Sequence, residues 1–262
     1  MGLRLWVPPT REVVEVATPP TGLVPARVAT AARAPARQPD PAAPALEAPS
    51  VSLPMPAAAP LTVAAGLDWP ALRAAVAACR ACGLCESRTQ TVFGSGHTQA
   101  HWLLVGEAPG EQEDLSGEPF VGAAGQLLDR MLAALRLTRA VDGPAPPEQR
   151  VYIANTLKCR PPRNRNPSAQ ELAQCEPFLV RQIELLQPRI ILAMGRYAVQ
   201  ALLRSEEPIG RLRGRVHRYQ GVPLVVTYHP AYLLRNLSEK AKAWDDLCLA
   251  AEVADRALEG SA

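Results

Sequence analysis

Residues 67–262 predict an α/β domain with three layers, helices covering both faces of a central, mainly parallel four-stranded sheet. Three observations carry this reading. Short apolar segments alternate with helical patterns along the chain, the order that builds a parallel sheet. Two of these segments, IILAM and LVVTY, are continuous apolar runs, as strands buried on both faces require. The composition also changes near residue 66: 13 of the 27 prolines precede it, and between Pro19 and Pro60 24 of 42 residues are Ala or Pro, with no aromatic. A stretch of that kind buries too little surface to offset its ordering entropy. Residues 1–66 are therefore expected to form a disordered Pro/Ala-rich tether with polyproline II character.

The elements of the folded part follow in chain order. Leu72–Cys82 reads as a short helix leading into the first cysteines. His101–Val105 (HWLLV) is the first strand, closed by Gly106. Leu127–Leu137 is an amphipathic helix, with apolar residues at 127, 128, 131, 132 and 135. Val151–Ala154 is the second strand, stopping at Asn155, after which Pro161, Pro162 and Pro167 hold an irregular arginine-rich loop, CRPPRNRNP. Ser168, with Glu171 three residues on, forms a capping box for a helix over Ala169–Leu186. Arg189–Met194 is the third strand, Gly195 turns into a helix over 196–204, and Pro223–Thr227 is the fourth strand. Ser238 caps a closing helix, Glu239–Leu258. In such sheets ligands bind at the carboxyl ends of the strands, which singles out 106–114, 155–163, 195–197 and 228–235.

Composition narrows the function. With 48% hydrophobic and 20% charged residues the 262-residue chain is ordinary for a globular protein, and room exists for one or two domains. A net charge of +3 makes no case for nucleic acid, so any such case rests on where the arginines sit. No run of 18 apolar residues is present, which argues against a membrane span, and no apolar run follows Arg4 and Arg11 as a secretory signal would need. A cytoplasmic protein is expected. Gly106-x-x-Pro-Gly110 lacks the three spaced glycines of a dinucleotide site, and no GxxxxGK[ST] phosphate loop occurs, which disfavours a nucleoside-triphosphate enzyme.

The six cysteines are Cys79, Cys82, Cys85, Cys159, Cys175 and Cys248. A chain of this size in a reducing compartment keeps them as thiols. Cys79-x-x-Cys82-x-x-Cys85 together with two distant cysteines has the form of a four-thiolate site assembled by folding. Soft thiolates select zinc or iron–sulfur, and spacing does not choose between them. Cys248 lies in an apolar helical run and reads as a small buried hydrophobe.

The series C-x-x-C, VGEAPGEQED, GEPFVGAAGQLL, YIANTLKCRPPRNR and TYHPAYLLR resembles the iron–sulfur, family 4 uracil-DNA glycosylases, in the family's order and over about residues 68–250. The resemblance implies a uracil-DNA glycosylase-like fold and a monofunctional enzyme that flips uracil out of single- or double-stranded DNA, hydrolyses its N-glycosidic bond and so initiates base excision repair. It implies Glu107 as the acidic residue that positions or activates water, and His229 as the group that stabilises negative charge on uracil O2. It implies Phe120 as the aromatic that stacks on the base and Asn155 as the amide that reads its edge. It implies Cys79, Cys82, Cys159 and Cys175 as ligands of a structural 4Fe-4S cluster, zinc being the second choice, and leaves Cys85 without a role.

The residue chemistry agrees. An amide offers both a donor and an acceptor, matching uracil O4 and N3–H, where cytosine presents the opposite pattern. N-glycosidic cleavage places positive charge on the sugar and negative charge on the departing base, which a carboxylate and an aimed donor stabilise. Arg160, Arg163 and Arg165, with Arg235, are candidates for phosphate contacts beside the flipped nucleotide. Tyr232, Leu233 and Leu234 form an apolar trio suited to wedging into the vacated stack. Two other readings stand beside this one. In a covalent uracil-trapping relative a histidine would occupy an inserted loop, but the stretch after Cys159 is short and lacks one. A non-catalytic metal-containing nucleic-acid-binding protein would show no excision. A monomer associated with the nucleoid is expected, with a replication or repair partner as the role of the tether.

Overall fold

The structure is a computed structural model that describes residues 63–259, so the expected tether lies outside the described residues except for 63–66. Helix α1 (Trp69–Ala78) starts earlier than the pattern suggested, because the Asp68 side chain accepts from Ala71 N at 2.9 Å and Pro70 pre-forms the first turn. It ends before the cysteines, and α2 (Leu84–Ser87) is a single turn. Strands β1 (Ser95–Gly96) and β2 (Trp102–Gly106) follow, then α3 (Glu111–Ser116) and α4 (Ala123–Ala134). Strand β3 (Val151–Asn155) leads to the irregular loop and to α5 (Ala169–Leu186), whose N-terminus carries the expected Ser168/Glu171 capping box. Then come β4 (Ile190–Met194), α6 (Arg196–Leu203), α7 (Ile209–Leu212), β5 (Val216–Tyr219), β6 (Val222–Thr227), α8 (Pro230–Arg235) and α9 (Lys240–Glu259).

The six strands form one sheet in the order β1-β3-β2-β4-β6-β5. The four expected strands are its parallel core, and β1 and β5 are antiparallel edges. Both edges lack an apolar run. β1 is two residues long, and β5 (VHRY) alternates between exposed and half-buried positions. Alternate residues of the core strands face opposite layers. Leu103, Val105, Ile191, Ala193, Leu224 and Val226 pack under α5 and α6. Leu104, Ile153, Leu192 and Val225 pack against α4 and α9 through Leu128, Leu132, Leu247 and Ala250. These are the two outer layers of the predicted three.

From β2 the chain passes to β3 on one side and then to β4 on the other. Strand order thus reverses around β2, and the crevice at its carboxyl end is where a doubly wound sheet takes its ligand. Among the described residues, no helix is long and apolar enough to cross a membrane.

Candidate active site and cysteine centre

A cleft of about 800 Å³ opens at that crevice. Glu107, Phe120, Asn155, His229, Tyr232 and Arg235 all line it, although they come from segments spread over more than a hundred residues. Three of them sit where a strand ends. Glu107 follows β2, Asn155 is the last residue of β3, and His229 follows β6 and caps α8.

The pocket floor is close-packed around Gly106. A Cβ there would collide with Asn155 Oδ1 and stand 2.9 Å from Phe120 Cζ, so glycine at 106 is what lets the amide and the ring lie side by side. Phe120 is 5% exposed with φ +56, a conformation bulky residues rarely adopt. Two devices hold it there. Gly125 has no Cβ to collide with the Phe120 carbonyl, and the Arg139 guanidinium donates to the carbonyls of Pro119 (3.0 Å) and Phe120 (3.1 Å) while pairing with Asp129 at 2.9 Å. The Phe120 ring stacks on His229, centroids 5.3 Å apart at 29°.

Asn155 is 3% exposed, and its Oδ1 is buried without a hydrogen-bond partner among the described residues. An unmatched buried acceptor costs about 1–3 kcal/mol, so it points to a donor that arrives with a ligand. His229 Nδ1 accepts from Ala231 N at 3.2 Å. The proton of the neutral ring therefore sits on Nε2, which is left as a donor. Burial, aided by the Arg235 charge, pushes the His229 pKa down to about 4, so the ring is neutral near pH 7. Glu107 has its carboxyl pKa raised by burial alone, while its backbone carbonyl is pinned by Leu157 N (3.0 Å) and the Thr156 hydroxyl (2.5 Å).

Glu113 lies in the strand-end segment 106–114 but receives no role from the sequence, and Arg139 is a site residue that the sequence does not single out. The Glu113 carboxylate accepts from Gly110 N (3.0 Å), Val121 N (3.0 Å) and Gly122 N (3.2 Å), clamping the loop after Glu107 to the loop that carries Phe120. The signal was present as the Gly110-to-Glu113 spacing, the N-cap to N3 distance of a helix start. Helix α3 begins directly after Gly110, which is its N-cap.

Around the cleft the arginines divide. Arg163 and Arg235 are exposed. Arg160 is half-buried, donating to Asn164 Oδ1 at 2.8 Å and lying 3.5 Å from Glu111. Arg165 is committed to Glu171 through two bonds of 2.9 and 2.6 Å, which with the Ser168 N–H hold that carboxyl down at about 2. The apolar trio also divides, and one assignment needs correcting. Residues 230–235 are helical, and Leu233 points into the core at 1% exposure, so it is not available as a wedge. Tyr232 and Leu234, at 38% and 41%, are the exposed members, with Tyr232 stacked on Tyr228 at 5.2 Å.

On the other side of the β3 segment, Cys79, Cys82, Cys85, Cys159 and Cys175 line one pocket. Cys248 is half-buried on α9 and is not part of it. Arg88 donates to Cys159 Sγ at 3.0 Å and the Lys158 N–H to Cys175 Sγ at 3.2 Å. Burial raises the thiol pKa values of Cys82 and Cys159, and that of Cys175 to about 12. Among the described residues, no three His, Cys, Asp or Glu side chains converge on a single ion position. The donor set is all sulfur, the chemistry that holds zinc or an iron–sulfur cluster.

Residues 93–248 match the family described as Uracil DNA glycosylase superfamily. The chain is 42% identical over 167 residues to a type-4 uracil-DNA glycosylase of Archaeoglobus fulgidus, covering 61% of this chain and 79% of that protein. It is 38% identical over 193 residues to one from Pyrobaculum aerophilum, covering 70% and 93%, and 40% identical over 166 residues to one from Thermotoga maritima, covering 63% and 82%. With the matched region spanning both the cleft and the loop after β3, this chain belongs to the uracil-DNA glycosylase superfamily.

Proposed function

We propose that the chain excises uracil from DNA by hydrolysing the N-glycosidic bond of a flipped nucleotide, the first step of base excision repair. The observation that carries this reading is the unpartnered Asn155 Oδ1, buried beside the Phe120 ring at the end of β3. Uracil N3–H is the donor that oxygen lacks, and the amide NH₂ of the same side chain suits O4. Cytosine, with an acceptor at N3 and a donor at C4, leaves both ends of the amide unmatched. Phe120 offers its face to the base, Gly106 lets that ring lie beside the amide, and Gly125 leaves room for the Phe120 carbonyl.

For the reaction, the His229 Nε2–H donates to O2 as negative charge develops on the leaving base, and a neutral donor does this without surrendering its proton. Glu107, next to the cleft and desolvated, holds the water that attacks C1′. The water oxygen bonds to C1′ as the C1′–N1 bond breaks, its proton passes toward the carboxylate, and the base departs with the bonding electrons. Arg163 and Arg235, both exposed, would contact the flanking phosphates, and Tyr232 and Leu234 would fill the gap left by the base.

Cys79, Cys82, Cys159 and Cys175 would hold a 4Fe-4S cluster. Hydrolysis needs no electron transfer, so such a cluster would supply cross-links tying the segment after α1 to the loop after β3 and to α5. Cys85 lines the same pocket, and its role is decided by which thiol is dispensable for cluster content. The test of the main reading is incubation of the full-length protein with oligonucleotides carrying one uracil, thymine or cytosine, followed by alkali. Cleavage at uracil alone is the expected result. No cleavage by folded, cluster-bearing protein overturns the reading.

A further inference from the structure

Between the cleft and the cysteine pocket lies a side chain that neither uses in the account above. Lys158 is 1% exposed, the largest side chain in the fully buried set. Its ammonium donates to the backbone carbonyl of Asn155 at 2.8 Å and to Gln182 Oε1 at 2.6 Å. Gln182, itself 0% exposed, is fixed by donation to the Phe93 carbonyl at 2.9 Å. The same lysine reaches the cysteine pocket through its backbone, the N–H bonding Cys175 Sγ at 3.2 Å, and it lines that pocket beside Cys159.

A fully buried ammonium is costly unless its donors are matched and an opposite charge lies near. Here the two acceptors of the ammonium are neutral, and what ties Lys158 to the cysteine pocket is its backbone N–H on Cys175 Sγ. We infer that Lys158 is a positioning residue that couples the cysteine centre to base recognition: its ammonium clamps the Asn155 carbonyl while its backbone N–H is held by Cys175 Sγ. The inference rests on the reading of Asn155 as the residue that recognises uracil. It explains why a hydrolase would keep a thiolate centre four residues from its specificity residue.

The experiment compares full-length, cluster-bearing wild type with Lys158→Met in three readouts: single-turnover release of uracil at saturating DNA, affinity for the same oligonucleotide carrying an abasic site, and the visible absorption of the cluster. The expected result is a fall in release rate of tenfold or more, with abasic-site affinity within threefold of wild type and the absorption retained. Gln182→Met removes one anchor of the ammonium without touching Asn155 or a cysteine. It should show the same split, at threefold or more, and it decides the matter if Lys158→Met does not fold. Release within twofold of wild type in a folded, loaded variant overturns the inference. So does a parallel loss of rate, DNA affinity and cluster, which marks Lys158 as merely structural. Failure of the wild type to release uracil overturns the glycosylase reading instead.

Discussion

The cleft and the cysteine pocket share one stretch of chain, 155–159, but they are held by different means. Asn155, Glu107 and His229 are fixed by the ends of parallel strands whose backbones are hydrogen-bonded on both sides, so their positions follow from the sheet. The five cysteines lie on a single-turn helix, loops and α5, with no strand among them. Their pocket joins chain segments through packing of Leu72, Val76, Leu84 and Phe178, and five cysteines line it. The difference teaches that the geometry of the cleft is largely a property of the fold, while on the proposed reading the cysteine region leans on the group it would hold.

Removing a reacting donor from the sheet-built cleft should have the largest effect on rate and little on stability. His229→Ala is expected to lower single-turnover kcat by about 10²–10³, the usual cost of one lost oxyanion donor. Its melting temperature near pH 7 should stay close to wild type. The pH response sharpens this. The folded state holds His229 at about 4, while an unfolded histidine titrates near 6.5. The unfolded chain therefore takes up the proton first, and the stability contributed by the neutral ring is complete above about 6.5 and lost as pH falls toward 4. Melting curves of wild type should decline over that window more steeply than those of His229→Gln.

The opposite pattern is expected in the cysteine region. Cys175→Ala should abolish cluster absorption and lower the melting temperature by at least about 5 °C, the shift that roughly 2 kcal/mol produces in a domain of this size. An unchanged melting temperature would show that the region holds itself together, and the contrast drawn above would fail.

Smaller effects probe the loops between the two. Glu113→Gln leaves one amide oxygen to serve three backbone N–H donors, so kcat should fall several-fold with no change in abasic-site affinity. The smallest effect belongs to the rim. Arg163→Ala should weaken binding to uracil- and thymine-containing DNA alike and reduce the slope of log affinity against log salt by about 1. A loss of uracil selectivity in that variant would move Arg163 from the phosphates to the base.

The parts legible in the sequence are those that one local pattern specifies. The apolar runs at β2, β3, β4 and β6 mark the parallel core, and the residues directly after them fill the cleft. β1 and β5 were invisible because edge strands need only backbone pairing, which leaves no apolar run. Leu233 was misplaced because Pro230 starts a helix there, and helical phase, not loop exposure, decides which leucine is buried. Lys158, Arg88 and Arg139 were out of reach for another reason. Their partners, Gln182, Cys159 and the Phe120 loop, lie 24, 71 and about 19 residues away in the chain. A charged residue in a polar-looking segment reads as solvated until the fold shows it enclosed.

The central claim, that the Asn155 amide recognises uracil, is tested most directly by single-turnover release from a uracil oligonucleotide, wild type against Asn155→Ala, with abasic-site affinity as the control. An unmatched N3–H and O4 should cost about 1–3 kcal/mol, roughly 5- to 150-fold in rate, with the control unchanged. Release within twofold of wild type would contradict the account.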